Sequence, residues 1–264
     1  MARVTRTGSL LQAVAEAAAC AGKTALRSFR GSLTIEQKQD GSPVTVADRA
    51  AERAARAWIT KRFPRDGILG EEFGETRGSS GRRWILDPID GTKTFVRGVP
   101  LWGSLVAVME GETVLAGAAT FPAIAEDLAA APGEGCWYRG VRCFVSEVSR
   151  LKDATVLTTD EHGFTGRRSR RGWESLAEAA GIVRSWGDCY GYLLVATGRA
   201  EVMVDSRLGA WDAACFLPIL SEAGGSFTDW LGRATPFGGN AIATNAVLGK
   251  KARRLLAGAQ SSRR

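Results

Sequence analysis

The chain has 264 residues, of which 45% are hydrophobic and 24% are charged, and its formal net charge is +7. This length can bury a substantial core, and the composition is that of a folded globular protein rather than a disordered one. No apolar run approaches the roughly 18 uninterrupted residues of a membrane-spanning helix, which argues against a protein that crosses the membrane.

The N-terminal stretch is typical of an amphipathic helix rather than of a secretory signal. Gln12 and Glu16 interrupt its apolar residues, and an acidic residue is foreign to a signal sequence. The cysteines are scattered without a CxxC pair, and His162 is the only histidine, so the chain offers little material for a zinc site. We therefore expect a cytoplasmic protein with reduced thiols.

The predicted elements begin with two helices and continue as a meander of strands. Apolar residues recur at helical spacing over residues 9–29 and 45–63. Short apolar runs then predict strands at residues 68–69, 84–86, 105–109, 114–120 and 126–130.

The second half alternates between strands and helices, which predicts an α/β arrangement. Its predicted strands are residues 155–158, 202–205 and 241–244. Its predicted helices are residues 169–180, 190–197 and 211–223. We divide the chain near residues 148–153 into an N-terminal half, 1–150, and a C-terminal half, 151–264.

The positive charge is concentrated in two clusters, at residues 167–171 and 250–264. No aromatic side chains are interleaved with the second cluster, which is therefore typical of a solvated terminal helix rather than of a nucleic-acid surface. A net positive field also attracts small anions. We expect a small anionic substrate, and not nucleic acid, as the partner.

Acidic residues follow the apolar runs of two predicted strands. Glu71 follows the first run, and Asp87 and Asp90 follow the second, where Pro88 makes the turn between them rigid. Asp212 stands far downstream at the start of a predicted helix. Carboxylates at strand ends lie where ligand crevices form, and a set of oxygen ligands suits Mg²⁺ or Mn²⁺ rather than zinc. Such crowding of like charge is costly without a cation.

Gly91 and Thr92 complete the turn after Asp90. Glycine lets backbone N–H groups approach an anion closely, and a helix that starts here adds its dipole. An ordinary surface turn has the same residue types, so the turn alone leaves both interpretations open. The carboxylates upstream and downstream favour a metal and phosphate site.

Three segments resemble the motifs of the inositol monophosphatase family of Mg²⁺-dependent, fructose-bisphosphatase-like phosphatases. They are residues 70–72 (GEE), 84–95 (WILDPIDGTKTF) and 211–225, which begin with WDAA and end with EAGG. The likeness runs from about residue 8 to residue 255. It implies an α/β fold built as a five-layered α-β-α-β-α sandwich, usually assembled as a homodimer, and two or three Mg²⁺ ions per subunit that Mn²⁺ could replace.

The resemblance also implies roles for single residues. The ligands of the metal ions would be Glu71, Asp87, the Ile89 carbonyl, Asp90 and, for a second ion, Asp212. Glu71 and Thr92 would orient the attacking water, and the amides of Gly91 and Thr92 would bind the phosphate. Asp48 matches a position that helps to retain a further, weaker Mg²⁺, although an acid at a helix start has a simpler explanation in the helix dipole.

The alcohol part of the substrate is indicated by a fourth segment. Residues 187–190 (GDCY) resemble the histidinol-phosphate phosphatases of the family. The Asp188 carboxylate could receive an imidazole N–H or an ammonium group, or it could cap the helix that follows. Arg184 and Asn245 are further candidates for the same pocket.

Alternatives to histidinol phosphate stay open at this point. The third motif has the spelling of inositol phosphatases, Trp211-Asp212, so an inositol-1-monophosphatase is the next candidate, followed by a fructose-1,6-bisphosphatase or a nucleotide 3′-phosphatase. A non-catalytic member that binds RNA or a polymerase is a different class of function. Such a member would be expected to lose a metal ligand, whereas this chain retains the full set.

Overall fold

The computed structural model describes residues 9–31, 35–37 and 43–258. The helices are α1 (Leu10–Leu26), α2 (Val46–Arg62), α3 (Thr92–Val96), α4 (Arg167–Ala179), α5 (Asp188–Ala196), α6 (Ala210–Ala213), α7 (Phe216–Glu222) and α8 (Gly249–Leu256). The strands are β1 (Ile35–Gln37), β2 (Pro43–Thr45), β3 (Gly67–Gly70), β4 (Gly74–Thr76), β5 (Arg82–Asp90), β6 (Gly103–Glu110), β7 (Thr113–Phe121), β8 (Glu126–Ala131), β9 (Gly135–Tyr138), β10 (Val141–Arg142), β11 (Thr155–Thr158), β12 (Ile182–Arg184), β13 (Val202–Asp205), β14 (Ser226–Thr228) and β15 (Ala241–Thr244). Among these described helices, none combines the length and the hydropathy that a membrane crossing requires.

Helices and sheets alternate in five layers. Helices α1 and α2 cover one face of an eight-stranded sheet with the order β10-β9-β8-β7-β6-β5-β3-β4. Helices α5 and α7 fill the space between this sheet and a five-stranded sheet with the order β12-β11-β13-β15-β14. Helices α4 and α8 cover the outer face of the second sheet. The predicted α/β class and α-β-α-β-α sandwich are confirmed.

The first layer lies close to the sheet because the buried face of α1 consists mainly of alanine, for example Ala17 and Ala21. Helix α2 begins with a capping box, in which Thr45 and Asp48 satisfy each other's backbone N–H groups. Both helices were predicted from their apolar spacing, and their positions are confirmed to within three residues at each end.

The sheet topology brings the acidic turns together. Strands β3 and β5 run parallel, with Gly70 opposite Leu86, so their carboxyl ends meet at the same edge of the sheet. The backbone N–H of Glu71 continues the ladder by donating to the Leu86 carbonyl at 3.2 Å. Beyond this point β5 loses register with β6 between Asp87 and Asp90. Glu71, Asp87 and Asp90 are therefore neighbours because two parallel strands end side by side.

The predicted helix at residues 211–223 is wrong in one respect, because the structure divides it into α6 and α7. Pro218 has no N–H to donate to the carbonyl four residues earlier, at Ala214, and the helix is interrupted there. Most of the strands that sequence patterns missed, such as β10 and β12, have two or three residues, too few to show an alternation. The division of the chain near residues 148–153 stays a prediction.

Candidate active site

Three aspartates from distant parts of the chain converge on one point. Asp87 and Asp90 lie at the end of β5, and Asp212 lies on α6. One carboxylate oxygen of each lies within 4.8 Å of the others. The described residues hold no other group of three or more acidic, histidine or cysteine side chains so arranged.

Backbone amides fix the orientation of each aspartate. Asp87 Oδ1 accepts the Ile89 N–H at 3.0 Å, and Asp212 Oδ2 accepts the Gly209 N–H at 2.6 Å. Asp90 Oδ2 accepts the N–H of Cys189, at the start of α5, at 2.5 Å. Hydrogen bonds to ionised acceptors are among the stronger ones, so the three carboxylates are held before any ligand arrives.

Three ionised carboxylates so close together repel one another, and their surroundings disfavour the charged form of each aspartate. Burial raises the pKa of Asp87 well above its ordinary value, and the charges of Glu71, Asp90 and Asp212 raise it further. Burial, followed by the charges of Asp188 and Asp212, does the same to the pKa of Asp90. Burial likewise raises the pKa of Asp212. A divalent cation among these oxygens would reverse each of these effects.

The donor set fits a hard divalent cation. It consists of carboxylate oxygens, which Mg²⁺ and Mn²⁺ prefer, and contains none of the nitrogen or sulfur donors that zinc favours. The Ile89 carbonyl lies in the same turn and accepts the Thr92 hydroxyl at 3.0 Å. Glu71 lies close enough to affect the pKa of Asp87. The predicted ligands from the N-terminal half thus lie together with Asp212 from the C-terminal half.

The turn after Asp90 leads into helix α3. Gly91 has a φ of 83°, in the left-handed region, and precedes the first helical residue, Thr92. N–H groups in the first turn of a helix have no acceptor inside the helix. A β-carbon at Gly91 would lie 3.1 Å from Asp188 Oδ2, so the approach of α5 leaves little room for a side chain here in addition to the positive φ.

Asp48 contacts this turn from α2. It is buried, its Oδ2 accepts the Thr45 N–H and hydroxyl, and its Oδ1 lies 3.2 Å from the Thr92 hydroxyl. Burial raises its pKa. Asp48 therefore fulfils the simple role at a helix start and also reaches the predicted water-orienting residue.

A pocket of about 400 Å³ opens beside the aspartates. Its lining residues are Glu71, Gly91, Thr92, Lys93, Thr94, Thr159, Asp160 and Asp188. The predicted phosphate-binding turn thus forms one side of the pocket, and the predicted substrate residue Asp188 belongs to the same lining.

Asp188 is held in an uncommon backbone conformation. Its φ is 49°, in the left-handed region that non-glycine residues seldom adopt. Its N–H donates to Thr159 Oγ1 at 2.8 Å, and its Oδ2 accepts the Thr94 hydroxyl at 3.2 Å. Burial raises the pKa of Asp188, while Thr94 and Lys93 lower it. The side chain makes no capping bond at the start of α5, so the capping role considered for it is wrong.

The two weaker substrate candidates lie elsewhere. Asn245 is fully buried, where its Nδ2 donates to the Val148 carbonyl at 2.8 Å and its Oδ1 accepts the Leu248 N–H at 3.0 Å. Its amide therefore ties loops together, and its prediction as a pocket residue is wrong. Arg184 is exposed on the edge strand β12, outside the pocket lining, and its contact with a substrate stays a prediction.

Several pocket residues were missed by sequence reasoning. Thr159 and Asp160 line the pocket and directly follow β11. Polar residues directly after a strand were the signal that located Glu71, and the same signal could have found these two. Asp205, at the end of β13, was also missed; it is not part of the lining but contacts the lining residue Thr159. It accepts the Thr159 N–H at 3.2 Å and the Tyr192 hydroxyl at 2.6 Å. Burial raises the pKa of Asp205 to about 6.

Comparison with known proteins gives a consistent result along the whole chain. The model of the inositol monophosphatase family matches residues 8–264. The chain is 42% identical to the histidinol-phosphatase of Chlorobaculum parvum, over 91% of this chain and 93% of that protein. It is 40% identical to the histidinol-phosphatase of Mycobacterium tuberculosis, over 82% and 85% of the two chains. The solved structure of the extragenic suppressor protein suhB from Bartonella henselae matches with a TM-score of 0.86 and 29% identity, over 91% of this chain and 95% of that one.

Proposed function

The chain belongs to the inositol monophosphatase family, and from this premise we propose that it hydrolyses L-histidinol phosphate to L-histidinol and phosphate. It is an enzyme, a phosphoric monoester hydrolase. The observation that carries the choice of substrate is the Asp188 carboxylate in the wall of the pocket, beside the turn proposed to bind the phosphate.

We assign the binding of Mg²⁺, with Mn²⁺ as a substitute, to Glu71, Asp87, Asp90 and the Ile89 carbonyl, and of a second ion to Asp212. The support is the cluster of one buried and two half-buried carboxylates, whose pKa values are raised by burial and by one another. The ions, when bound, would polarise the phosphate and lower the pKa of the attacking water. Asp48 remains the candidate for a third, weaker ion.

Thr92 is suited to orient the water as an acceptor. It has a single hydroxyl proton, and two acceptors, Asp48 Oδ1 and the Ile89 carbonyl, lie 3.2 and 3.0 Å from its oxygen. The hydroxyl therefore donates its proton to a protein acceptor, and the lone pairs of Oγ1 remain available to accept an O–H of the water. Glu71 lines the same pocket and can accept the other proton of that water. With both protons held, the water presents its own lone pair to phosphorus.

The phosphate would be bound by the amides of Gly91 and Thr92 at the start of α3. Lys93, which also lines the pocket and is exposed, adds a positive charge at the same side. These groups stabilise negative charge that accumulates on the phosphoryl oxygens during hydrolysis.

Asp188 distinguishes among the possible alcohols. Thr94 donates to its Oδ2, and the carboxylate can receive an imidazole N–H or an ammonium of histidinol phosphate as a charged hydrogen bond. The alcohol part of an inositol phosphate offers only neutral hydroxyls and would give Asp188 no charged hydrogen bond. Inositol monophosphate remains the second candidate because the residues at 211 and 212 are those typical of inositol phosphatases.

We also propose that the enzyme is cytoplasmic and forms a homodimer. The family resemblance described above supports the dimer, and the five free cysteines support the cytoplasmic location. Sedimentation of the purified protein would test the dimer directly, with a single species of 28.1 kDa as the contrary result.

The test of the proposed function is phosphate release with Mg²⁺ from four substrates under identical conditions. They are histidinol phosphate, inositol 1-phosphate, fructose 1,6-bisphosphate and a nucleotide 3′,5′-bisphosphate. We expect the highest kcat/KM for histidinol phosphate and no turnover after treatment with a chelator. A higher kcat/KM for inositol 1-phosphate would instead favour the second candidate.

A further inference from the structure

Glu52 is a fully buried carboxylate on α2 that lies against the turn bearing Glu71. Its Oε2 accepts the Glu72 N–H at 2.8 Å, and its Oε1 accepts the Phe73 N–H at 3.3 Å. Its side chain has 0% exposure. Burial of a carboxylate costs several kcal/mol unless its oxygens are paired. This one is paired with the two consecutive amides that follow Glu71.

The chain makes room for this contact at Gly70. A β-carbon on Gly70 would lie 1.9 Å from Glu52 Oε1, a distance that no side chain can tolerate. The carboxylate therefore reaches the turn through the space that a larger residue would fill. This gives a physical reason for the glycine that precedes Glu71.

Arg56, one helical turn after Glu52, holds the other end of the same turn. Its Nε donates to Glu52 Oε1 at 2.7 Å, and its Nη2 donates to the Gly74 carbonyl at 2.5 Å. Its Nη1 donates to the Thr76 hydroxyl at 3.0 Å. The pair thus binds the amides on one side of the turn and a carbonyl and a hydroxyl on the other.

The position of the turn in the sheet explains why it needs such support. Asp87 and Asp90 are fixed by β5, which lies inside the eight-stranded sheet. The turn of Glu71 leads instead into β4, the last strand of that sheet, whose three residues are all exposed. Core packing and the ladder bond to Leu86 fix the backbone where β3 ends, and the Glu71 side chain depends further on how the exposed turn beyond it is held.

We propose that Glu52, together with Arg56, is a positioning residue that fixes Glu71 for metal binding. The inference rests on the proposed function, in which Glu71 is a metal ligand. Glu52 is not itself a ligand, because its oxygens are engaged by Arg56 and by the backbone. Partners of this kind around a metal ligand typically change metal affinity or activity by about 10- to 100-fold when they are replaced.

The experiment measures Mn²⁺ binding by electron paramagnetic resonance, independently of turnover, in the full chain. Glu52→Gln keeps the shape of the side chain but loses the ion pair and directs an NH₂ group toward backbone N–H groups. The matched control is Glu75→Gln, which removes the same charge from an exposed ion pair with Arg83 on the same hairpin. We expect about 10- to 100-fold weaker Mn²⁺ binding for Glu52→Gln and wild-type affinity for the control.

A double-mutant cycle with Glu71→Gln separates positioning from a general loss of stability. If Glu52 acts through Glu71, adding Glu52→Gln to Glu71→Gln changes Mn²⁺ affinity by less than about threefold. A full further loss in that background would overturn the inference. If Glu52→Gln does not fold, Arg56→Lys, which retains a charge beside Glu52 but loses the fork to Gly74 and Thr76, replaces it in the same cycle.

Two failures give different results. Wild-type protein that does not bind Mn²⁺ would overturn the proposed metal site, and this inference with it. Wild-type protein that binds Mn²⁺, together with a folded Glu52→Gln protein of unchanged affinity, would overturn only the positioning role of Glu52.

Discussion

The group of aspartates and the pocket beside it are built by different means. The floor, defined as Asp87, Asp90 and Asp212, consists of carboxylates that are each held by a backbone N–H. The wall, defined as the lining residues Thr94, Thr159 and Asp188, is joined by side-chain hydroxyls.

This difference separates two kinds of requirement. The floor depends on where buried elements begin and end, so the positions of its residues are fixed by the fold. The wall depends on a few side chains on the surface of that fold, and these can be exchanged individually. We infer that the fold fixes the hydrolytic chemistry, whereas the wall selects the alcohol.

The largest effect is expected from a change in the floor. Asp90→Asn keeps the shape of the side chain and its bond to the Cys189 N–H but removes one anionic ligand. We expect kcat/KM to fall by about 1000-fold or more, since a bound ion contributes several kcal/mol to the stabilisation of the transition state. The measurement is Mg²⁺-dependent phosphate release, with circular dichroism to verify folding. Near-normal phosphate release would contradict the assignment of Asp90 to the metal.

Asp205, which accepts the N–H of the wall residue Thr159, is expected to make the stability of the protein depend on pH. Burial raises its pKa from 3.8 to about 6. Between these values the folded protein retains a proton that the unfolded chain has lost, so the free energy of unfolding falls as the pH rises from about 4 to 6 and levels off above. The shift corresponds to a ceiling of about 3 kcal/mol.

Asp205→Asn should remove this part of the pH dependence. We would measure urea unfolding of both proteins at several pH values between 4 and 8 in the presence of a chelator. The charge of Asp205 raises the pKa of Asp212, so the slope that differs between the two proteins reports Asp205 together with its coupling to Asp212. Parallel curves would show that Asp205 titrates with its ordinary pKa.

A change in the wall should affect one substrate selectively. Asp188→Asn removes the charge but retains an acceptor for Thr94. We expect kcat/KM for histidinol phosphate to fall by about 10- to 100-fold, which corresponds to the loss of one charged hydrogen bond. A generic aryl phosphate should change by less than about threefold, because it has no cationic group to lose a partner.

Asp160→Asn is the control, since it removes a charge from the lining of the same pocket. We expect it to affect the two substrates about equally. Equal losses on both substrates for Asp188→Asn would instead exclude Asp188 from contact with the alcohol.

The smallest expected effect concerns the backbone of the wall. Asp188 has a left-handed φ of 49°, which costs a non-glycine residue roughly 1 kcal/mol. Asp188→Gly should therefore increase the stability by up to about 1 kcal/mol, or about 2 °C in Tm, while it lowers turnover of histidinol phosphate. Calorimetry of the two proteins without metal would test this. A lower Tm would mean that the bond to Thr94 outweighs the backbone strain.

Sequence reasoning located the floor better than the wall, for a physical reason. Asp87 and Asp90 follow an apolar run that is legible along the chain and share one rigid turn, and Asp212 stands at the start of a predicted helix. Thr94 and Thr159 gain their roles only when α5 meets α3 and β11 in space. No local pattern distinguishes Thr94 from an ordinary surface residue, whereas the position of Thr159 after a strand end could have drawn attention to it.

The errors have equally specific causes. Asn245 follows β15, and an asparagine after a strand can either contact a ligand or hydrogen-bond to neighbouring loops. In the structure its side chain hydrogen-bonds to the backbone of two loops. The interruption between α6 and α7 was foreseeable from Pro218 alone. The five layers, in contrast, followed from the family resemblance, because strand order in a sheet depends on contacts between distant residues.

The bond from the Cys189 N–H to Asp90 joins residues 99 positions apart, and this separation has a consequence for folding. The floor is complete only after the segment that contains α5 and α6 has docked against the eight-stranded sheet. Closing so long a loop costs entropy that nearby contacts cannot repay in advance. During refolding, secondary structure should therefore return before phosphatase activity, and catalysis would report the last stage of assembly.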